Sequence, residues 1–287
     1  MTMQRLIAGT VLGMLFSVAF GQQEKAERIS IPLSDPTRPA MLKVGLLTGS
    51  IFVKAYNGKD VIVELTPKRQ KAKGDESDEA EEDEERGNSG RSRAGLRLIP
   101  NTAAGLEVEE EDNVVKVSTG YRSLNQAKVL SIQVPTNTSV KLSTVNDGDI
   151  EVEGISGEIE VNNTNGSVYL RKISGSAVAH ALNGELTVDF VSVTPNKSMS
   201  FSSLNGTIEV TFPTDTKASL DLKSERGEIY TDFDIVMEKS TAKIEEEGKG
   251  KRRRVVMEKG MRGTINGGGA EFLFKNFNGD IIIRKKK

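Results

Sequence analysis

The sequence predicts an all-β protein, a β-solenoid (β-helix) of stacked short strands with glycine turns, and three observations in one stretch predict it. Between Val140 and Phe190 glycine recurs every nine residues, at Gly148, Gly157, Gly166, Gly175 and Gly184. The residues two and four after each glycine are apolar (Ile150 and Val152, Ile159 and Val161, Val168 and Leu170, Ala177 and Ala179, Leu186 and Val188), with mostly polar residues between them, which is strand alternation. The turns alternate in kind: Asp147-Gly148, Asn165-Gly166 and Asn183-Gly184 on one side, Ser156-Gly157 and Ser174-Gly175 on the other. Such dipeptides admit positive φ at little cost. One short unit cannot pair its own backbone or cover its inner face, so units of this kind must stack.

The alternation of turns implies about two nine-residue units per coil, hence two β-faces. Asp149, Ser167 and Glu185 would then stack on one face and Glu158 and Ser176 on the other. Serine between acids relieves the repulsion of like charges on rungs about 4.8 Å apart. A third inward position, seven after the glycine, holds Ile155, Ile173 and Leu182, with Thr164 the exception. The expected core column is Ile150, Ile159, Val168, Leu186, Ile208, Ile229 and Ile281. The expected structural turn glycines add Gly206, Gly227 and Gly279 to the five above.

Taken in order, the chain opens with Arg5, an apolar run from Leu6 to Phe20 and small residues at Ala19 and Gly21. This reads as a signal peptide, residues 1–21, too short to span a bilayer comfortably and cleaved after Gly21. With no cysteine after it, no lipoprotein anchor is expected, and no transmembrane span is expected in the mature protein. Residues 22–41, with Pro32, Pro36 and Pro39, read as an N-terminal linker or edge segment. Residues 42–287 are the expected solenoid domain. Its first piece, Leu42 to Leu65, repeats the pattern through Gly49, Ile51 and Val53 and again after Asn57-Gly58. Residues 68–93, with an acidic run at 75–85, have almost nothing apolar to repay ordering and read as a disordered charged insertion. Leu106 to Val117 reads as a hairpin, and Val129 to Val134 as a strand ended by Pro135. Past Phe190 the units lengthen but keep Asn205-Gly206, Arg226-Gly227 and Asn278-Gly279. A second charged insertion covers 238–263, with a basic tetrad at 251–254. Thr264 to Lys287 reads as the closing coil, its terminal lysines guarding an exposed edge.

Composition narrows function. The 287 residues carry a formal net charge of −2, so there is no global basic field for nucleic acid. Tryptophan and cysteine are absent and there is one histidine, His180. That removes thiolate and His-cluster metal sites and a cysteine nucleophile. No phosphate-cradling loop is present, since Gly267-Gly268-Gly269 lacks the following Lys and Ser/Thr, and no G-x-S-x-G elbow occurs. Glu158 and Glu160 share one outer side at a spacing that could suit a glycosidase pair, but they belong to the general outward pattern. The expected catalytic, cofactor and metal residues are therefore none. The Asn column (Asn165, Asn183, Asn205) is expected to bond along the stack.

From Val129 to Phe190 the sequence resembles the bacterial adhesin-like family of β-strand-repeat domains, a family of unknown function. The resemblance rests on the Val134-Pro135 step and on G-(D/E/S)-(I/V)-x-(V/L) runs from Gly148, Gly157, Gly166, Gly175, Gly184 and Gly206. It extends over about Leu96 to Asp234. It implies a β-solenoid in an exported or envelope-associated protein and offers no catalytic residues to transfer. The expectation is a non-enzymatic cell-envelope protein, periplasmic or secreted, presenting a repetitive β-face to a polymer or protein partner. A polysaccharide-active β-helix enzyme and an envelope stress-sensing module are the alternatives. The exported product should begin at Gln22, which N-terminal sequencing or intact mass of the secreted or periplasmic protein would read; a product retaining Met1 would overturn the signal assignment.

Overall fold

The computed structural model describes residues 27–67, 106–119, 128–238, 243–246, 253–256 and 260–287, and among them the chain is all-β with no helix. The strands are β1 (Glu27–Pro32), β2 (Met41–Tyr56), β3 (Asp60–Pro67), β4 (Leu106–Glu111), β5 (Val114–Thr119), β6 (Lys128–Pro135) and β7 (Ser139–Asn146). Then follow β8 (Ile150–Glu153), β9 (Ser156–Asn165), β10 (Val168–Asn183), β11 (Leu186–Val193), β12 (Met199–Asn205), β13 (Ile208–Phe212) and β14 (Ala218–Ser224). The last are β15 (Ile229–Thr231), β16 (Ile235–Met237), β17 (Lys243–Glu246), β18 (Arg253–Val256), β19 (Met261–Ile265), β20 (Ala270–Asn278) and β21 (Ile281–Lys285).

All but β17 and β18 fall into two ladders. Ladder A runs β4, β5, the first half of β2, β7, β9, the second half of β10, β12, β20, β14, β19, β16. Ladder B runs β1, β3, β6, the second half of β2, β8, the first half of β10, β11, β13, β21, β15. The central pairs of both are parallel, and the antiparallel pairs sit at the two ends. The 16-residue strands β2 and β10 serve both ladders, turning from one to the other at Gly49 (φ 125°) and near Gly175 (φ 126°).

Inward residues of both ladders meet in one core cluster. In ladder B, Val168 lies opposite Ile150 on one side and Leu186 on the other, and the row continues through Ile208 and Ile281 to Ile229. Ile159 belongs to ladder A, between Val140 and Ala177. Ile155 and Ile173 are buried, but Leu182 points outward, half-buried, because in ladder A the inward residue falls one earlier, at Asn163 and Ala181. Ala177, Ala179 and Ala181 line this rung where ladder B supplies Phe190. From there a packed aromatic column of Phe190, Phe201, Phe212, Phe272 and Phe274 fills the C-terminal core, with stacked neighbours such as Phe190 and Phe212 5.1 Å apart.

The glycines explain how rungs approach. A Cβ on Gly148, Gly166, Gly184, Gly206, Gly279 or Gly227 would lie 1.9–2.4 Å from the carbonyl oxygen of the glycine one rung away, in the order Gly49, Gly148, Gly166, Gly184, Gly206, Gly279, Gly227. In ladder A a Cβ on Gly175 would lie 2.1 Å from the carbonyl oxygen of Gly157. Gly166, Gly175, Gly206 and Gly279 have positive φ, but Gly148, Gly157, Gly184 and Gly227 do not. At those four, the lack of room for a Cβ requires glycine, and not turn conformation as the turn dipeptides suggested.

Several expectations are corrected by connectivity. Asn57-Gly58 does not continue the parallel repeat; it reverses the chain so that β3 runs antiparallel to β6. Within 22–41, read as a linker or edge segment, β1 pairs as an edge strand on β3. Within 238–263, read as a charged insertion, β17 and β18 pair as a hairpin and β19 pairs with β14 and β16. The segment 264–287 does not close the stack: β20 lies between β12 and β14, and β21 between β13 and β15. Arg284–Lys287 therefore guards no edge. Arg284 Nε reaches Glu209 at 2.5 Å, and Lys286 Nζ reaches Asp189 and the Phe190 carbonyl at 3.1 Å each. β2 is likewise tucked between β5 with β6 and β7 with β8. The signal segment and the acidic run at 75–85 lie outside the described residues.

Gly166→Val should lower unfolding free energy by more than about 1–2 kcal/mol, from strained φ and displacement of the neighbouring carbonyl. Gly184→Ala, at ordinary φ, should still destabilise by about 1–3 kcal/mol through overpacking alone. Denaturant unfolding reads both, and an unchanged midpoint for Gly184→Ala would show that the rungs do not need the close approach.

Candidate functional site

Each ladder turns one side outward, and the two sides differ in chemistry. On ladder B the outward side chains are cross-linked by ion pairs between rungs: Lys54–Glu153 at 3.0 Å, Arg171–Glu151 at 2.9 Å, Lys172–Glu153 at 3.7 Å and Lys286–Asp189 at 3.1 Å. Arg171 also lies over the Tyr169 ring. The Glu153 carboxyl is held below the usual glutamate range, first by the hydrogen bond from Lys54 and then by that lysine's charge.

Ladder A has fewer such pairs in its C-terminal half and three parallel rows instead. At its turn edge, asparagine amides bond in series. Asn165 Nδ2 donates to Asn146 Oδ1 (3.2 Å), Asn183 to Asn165 (3.0 Å), Asn205 to Asn183 (2.7 Å) and Asn278 to Asn205 (2.8 Å). Just inside, Asn163 Nδ2 donates to the Gly148 carbonyl (3.0 Å), and Asn276 Nδ2 to the Gly206 carbonyl (2.8 Å), fixing the turns from within.

The second row lies one residue before the asparagines: Leu47, Val145, Thr164, Leu182, Leu204 and Phe277 occupy successive rungs. Leu47 is 44% exposed, Val145 37%, Leu204 39% and Phe277 40%. At about 4.8 Å per rung the row is about 24 Å long. Arg226 sits over the Phe277 ring, 5.2 Å from its centroid. The third row is Ser143, Asn162, His180, Ser202, Lys275 and Lys223. His180 Nδ1 lies 2.6 Å from Ser202 Oγ.

At the C-terminal end the second and third rows line a cleft of about 470 Å³, bounded by Gly260 just before β19, the strand that pairs with β14. Leu182, Leu204 and Phe277 form its apolar shelf, and His180, Ser202 and Lys275 its polar side. Asp221, beneath, is taken up by Lys223 at 3.1 Å and Arg262 at 3.7 Å. No carboxylate is bonded to His180 among the described residues, so the His180–Ser202 pair lacks the group that would orient a catalytic base. Among the described residues there is also no group of three or more His, Cys, Asp or Glu placed to hold a metal.

The acidic columns read from the sequence lie where stacking puts them: Glu158 opposite Ser176, and Ser167 N–H donating to Asp149 at 2.8 Å. Glu158 and Glu160 bind Lys197 and Lys141, at 2.7 and 2.9 Å. Sequence reasoning missed the apolar row and the cleft. The signal was present in Val145-Asn146, Leu182-Asn183, Leu204-Asn205 and Phe277-Asn278, an apolar residue directly before each ladder asparagine.

The family model for Toastrack DUF4097 matches residues 104–266. No curated protein matches the chain. A solved candidate cell adhesion protein from Clostridium sporogenes is 12% identical, covering 91% of this chain and 100% of its own, with a TM-score of 0.42. A candidate adhesin from Bacteroides fragilis is 10% identical, covering 92% and 98%, with a TM-score of 0.31. Neither superposition carries a functional argument. Among the described residues no helix is long and apolar enough to cross a membrane.

Because its folded pKa is depressed, Glu153 contributes stability that is present above its unfolded pKa and is lost as pH falls through the folded one. Lys54→Gln should raise the Glu153 pKa back toward 4.5, read by carboxylate NMR titration. An unmoved value would mean that Lys54 does not set it.

Proposed function

The chain belongs to the Toastrack DUF4097 family, and we propose that it is a non-enzymatic, adhesin-like binding module wound as a β-solenoid of two nine-residue units per coil. In this reading it is exported by its N-terminal signal and works in the cell envelope or outside it. Its partner is an envelope polymer or protein, met across ladder A.

The observation that carries the reading is the row of exposed Leu47, Val145, Leu204 and Phe277 on a sheet face of a protein whose other face is tied up in ion pairs. Exposed apolar side chains aligned on a sheet face mark a contact surface. Its length suits an extended or repeating partner, which a stacked scaffold can follow rung by rung. The face lacks a positioned nucleophile, base and orienting group among the described residues, which supports binding over turnover.

The test is co-sedimentation of the mature protein with insoluble envelope material from the cells that make it. Wild type should sediment with the material, and the Leu47→Ser/Leu204→Ser variant should remain in solution, with unfolding midpoints alike. Equal retention of the variant, or none of wild type, would overturn the binding face; release of soluble saccharide by the protein would overturn the non-enzymatic reading.

A further inference from the structure

The cleft on ladder A sets a cation without an ion-pair partner among the described residues beside an exposed apolar row. Many cations on the stack, though not all, are matched: Lys54, Lys141, Arg171, Lys197, Lys223, Arg262, Arg284 and Lys286 each have a carboxylate within ion-pair distance. Lys275, in the cleft, has none among the described residues. Its rung neighbour Lys223 is spoken for by Asp221, and Glu225, also in the lining, is itself engaged. Arg226 packs its guanidinium on Phe277 and forms no ion pair among the described residues. Lys275 thus stands beside an apolar floor of Leu182, Leu204 and Phe277, with the Ser202 hydroxyl and His180 ring alongside and Arg226 over Phe277.

We propose that this cleft binds an acidic saccharide, with its carboxylate on Lys275, the carbon face of a ring on Leu204 and Phe277, and its hydroxyls on Ser202 and His180. The inference rests on the binding-module reading above and names the ligand class. Charge complementarity calls for an anion. The type of anion follows from the backbone. On ladder A the strands from β7 to β20 have neighbours on both sides, so their N–H and C=O groups are consumed within the sheet. An acidic peptide recognised by strand addition needs a free edge, which this face does not offer. Recognition here is by side chains alone. A saccharide supplies its own donors, acceptors and apolar ring face and has no such need. The cleft volume lies within the range of small-ligand sites.

The experiment is calorimetric or NMR titration of the mature protein with a short oligogalacturonate, its methyl-esterified form and an oligoglutamate. The oligogalacturonate should bind saturably, more weakly at high salt, and the methyl ester should not. Lys275→Gln should weaken binding about tenfold, as loss of one charge-assisted hydrogen bond does. Leu204→Ser should weaken it as well, and Lys54→Gln on ladder B should leave it unchanged. Absence of saturable binding, indifference to Lys275→Gln, or equal binding of oligoglutamate would overturn the proposal. If the protein still sediments with envelope material in the first two cases, the binding-module reading survives and only the ligand class falls.

Discussion

The stack depends on one close contact repeated along its length, a glycine on each rung pressed against the carbonyl of the glycine on the next. Seven glycines from Gly49 to Gly227 share this column, although Gly148 and Gly49 are nearly a hundred residues apart in sequence, and so close is the approach that any Cβ would overlap a backbone oxygen. The contact brings the turns into line, and everything on the faces inherits that alignment. The Asn146–Asn165–Asn183–Asn205–Asn278 series exists because its members sit at one height relative to the glycine column. Asn163 and Asn276 then secure glycine carbonyls from inside the turn. Amide ladders of this kind are satisfied only where every rung repeats the same geometry.

Alignment along the stack also determines which side chains meet. Lys275 joins the row of His180 and Ser202 because β20 enters between β12 and β14, and the aromatic column is completed by Phe272 and Phe274 for the same reason. Both β2 and β20–β21 occupy places inside the stack, with neighbours on both sides. Growth by adding coils in chain order cannot produce this arrangement. The outer rungs β5–β6 and β14–β15 must leave or open a place for a segment distant in sequence, an ordering of high contact order that favours late docking of these segments.

The sequence made legible what is periodic at short range. The nine-residue spacing, the alternation of inward Ile150, Val152, Val168 and Leu170, and the turn asparagines could all be read because each is local. Leu182 was misread because the two half-units differ: a fixed offset from glycine gives an inward residue in ladder B and an outward one in ladder A. The place of the C-terminal segment was illegible for another reason. Ile281 carries the same signature whether it ends the stack or lies between Ile208 and Ile229, since a pattern fixes which face is inward but not which rung is adjacent. The cleft followed the same limit, being assembled from Leu182, Leu204 and Phe277 across that unforeseen junction.

The contrast between the two faces has a physical cause in the same junction. On ladder B, charges of opposite sign fall on neighbouring rungs or one rung apart, so Lys54, Glu153, Arg171 and Asp189 each find a partner close by. Paired surface charges of this kind contribute little stability each, but they leave few unmatched groups for a partner to exploit. On ladder A the row beside the asparagines is apolar at nearly every rung. The incoming β20 places Lys275 between Ser202 and Lys223, with the nearby Asp221 already bonded to Lys223 and Arg262. A cation left unmatched beside exposed Leu204 and Phe277 adds nothing to folding that a neutral residue there would not. Beside an exposed apolar row it is open to an anion from outside, which the better-paired face across the core is not.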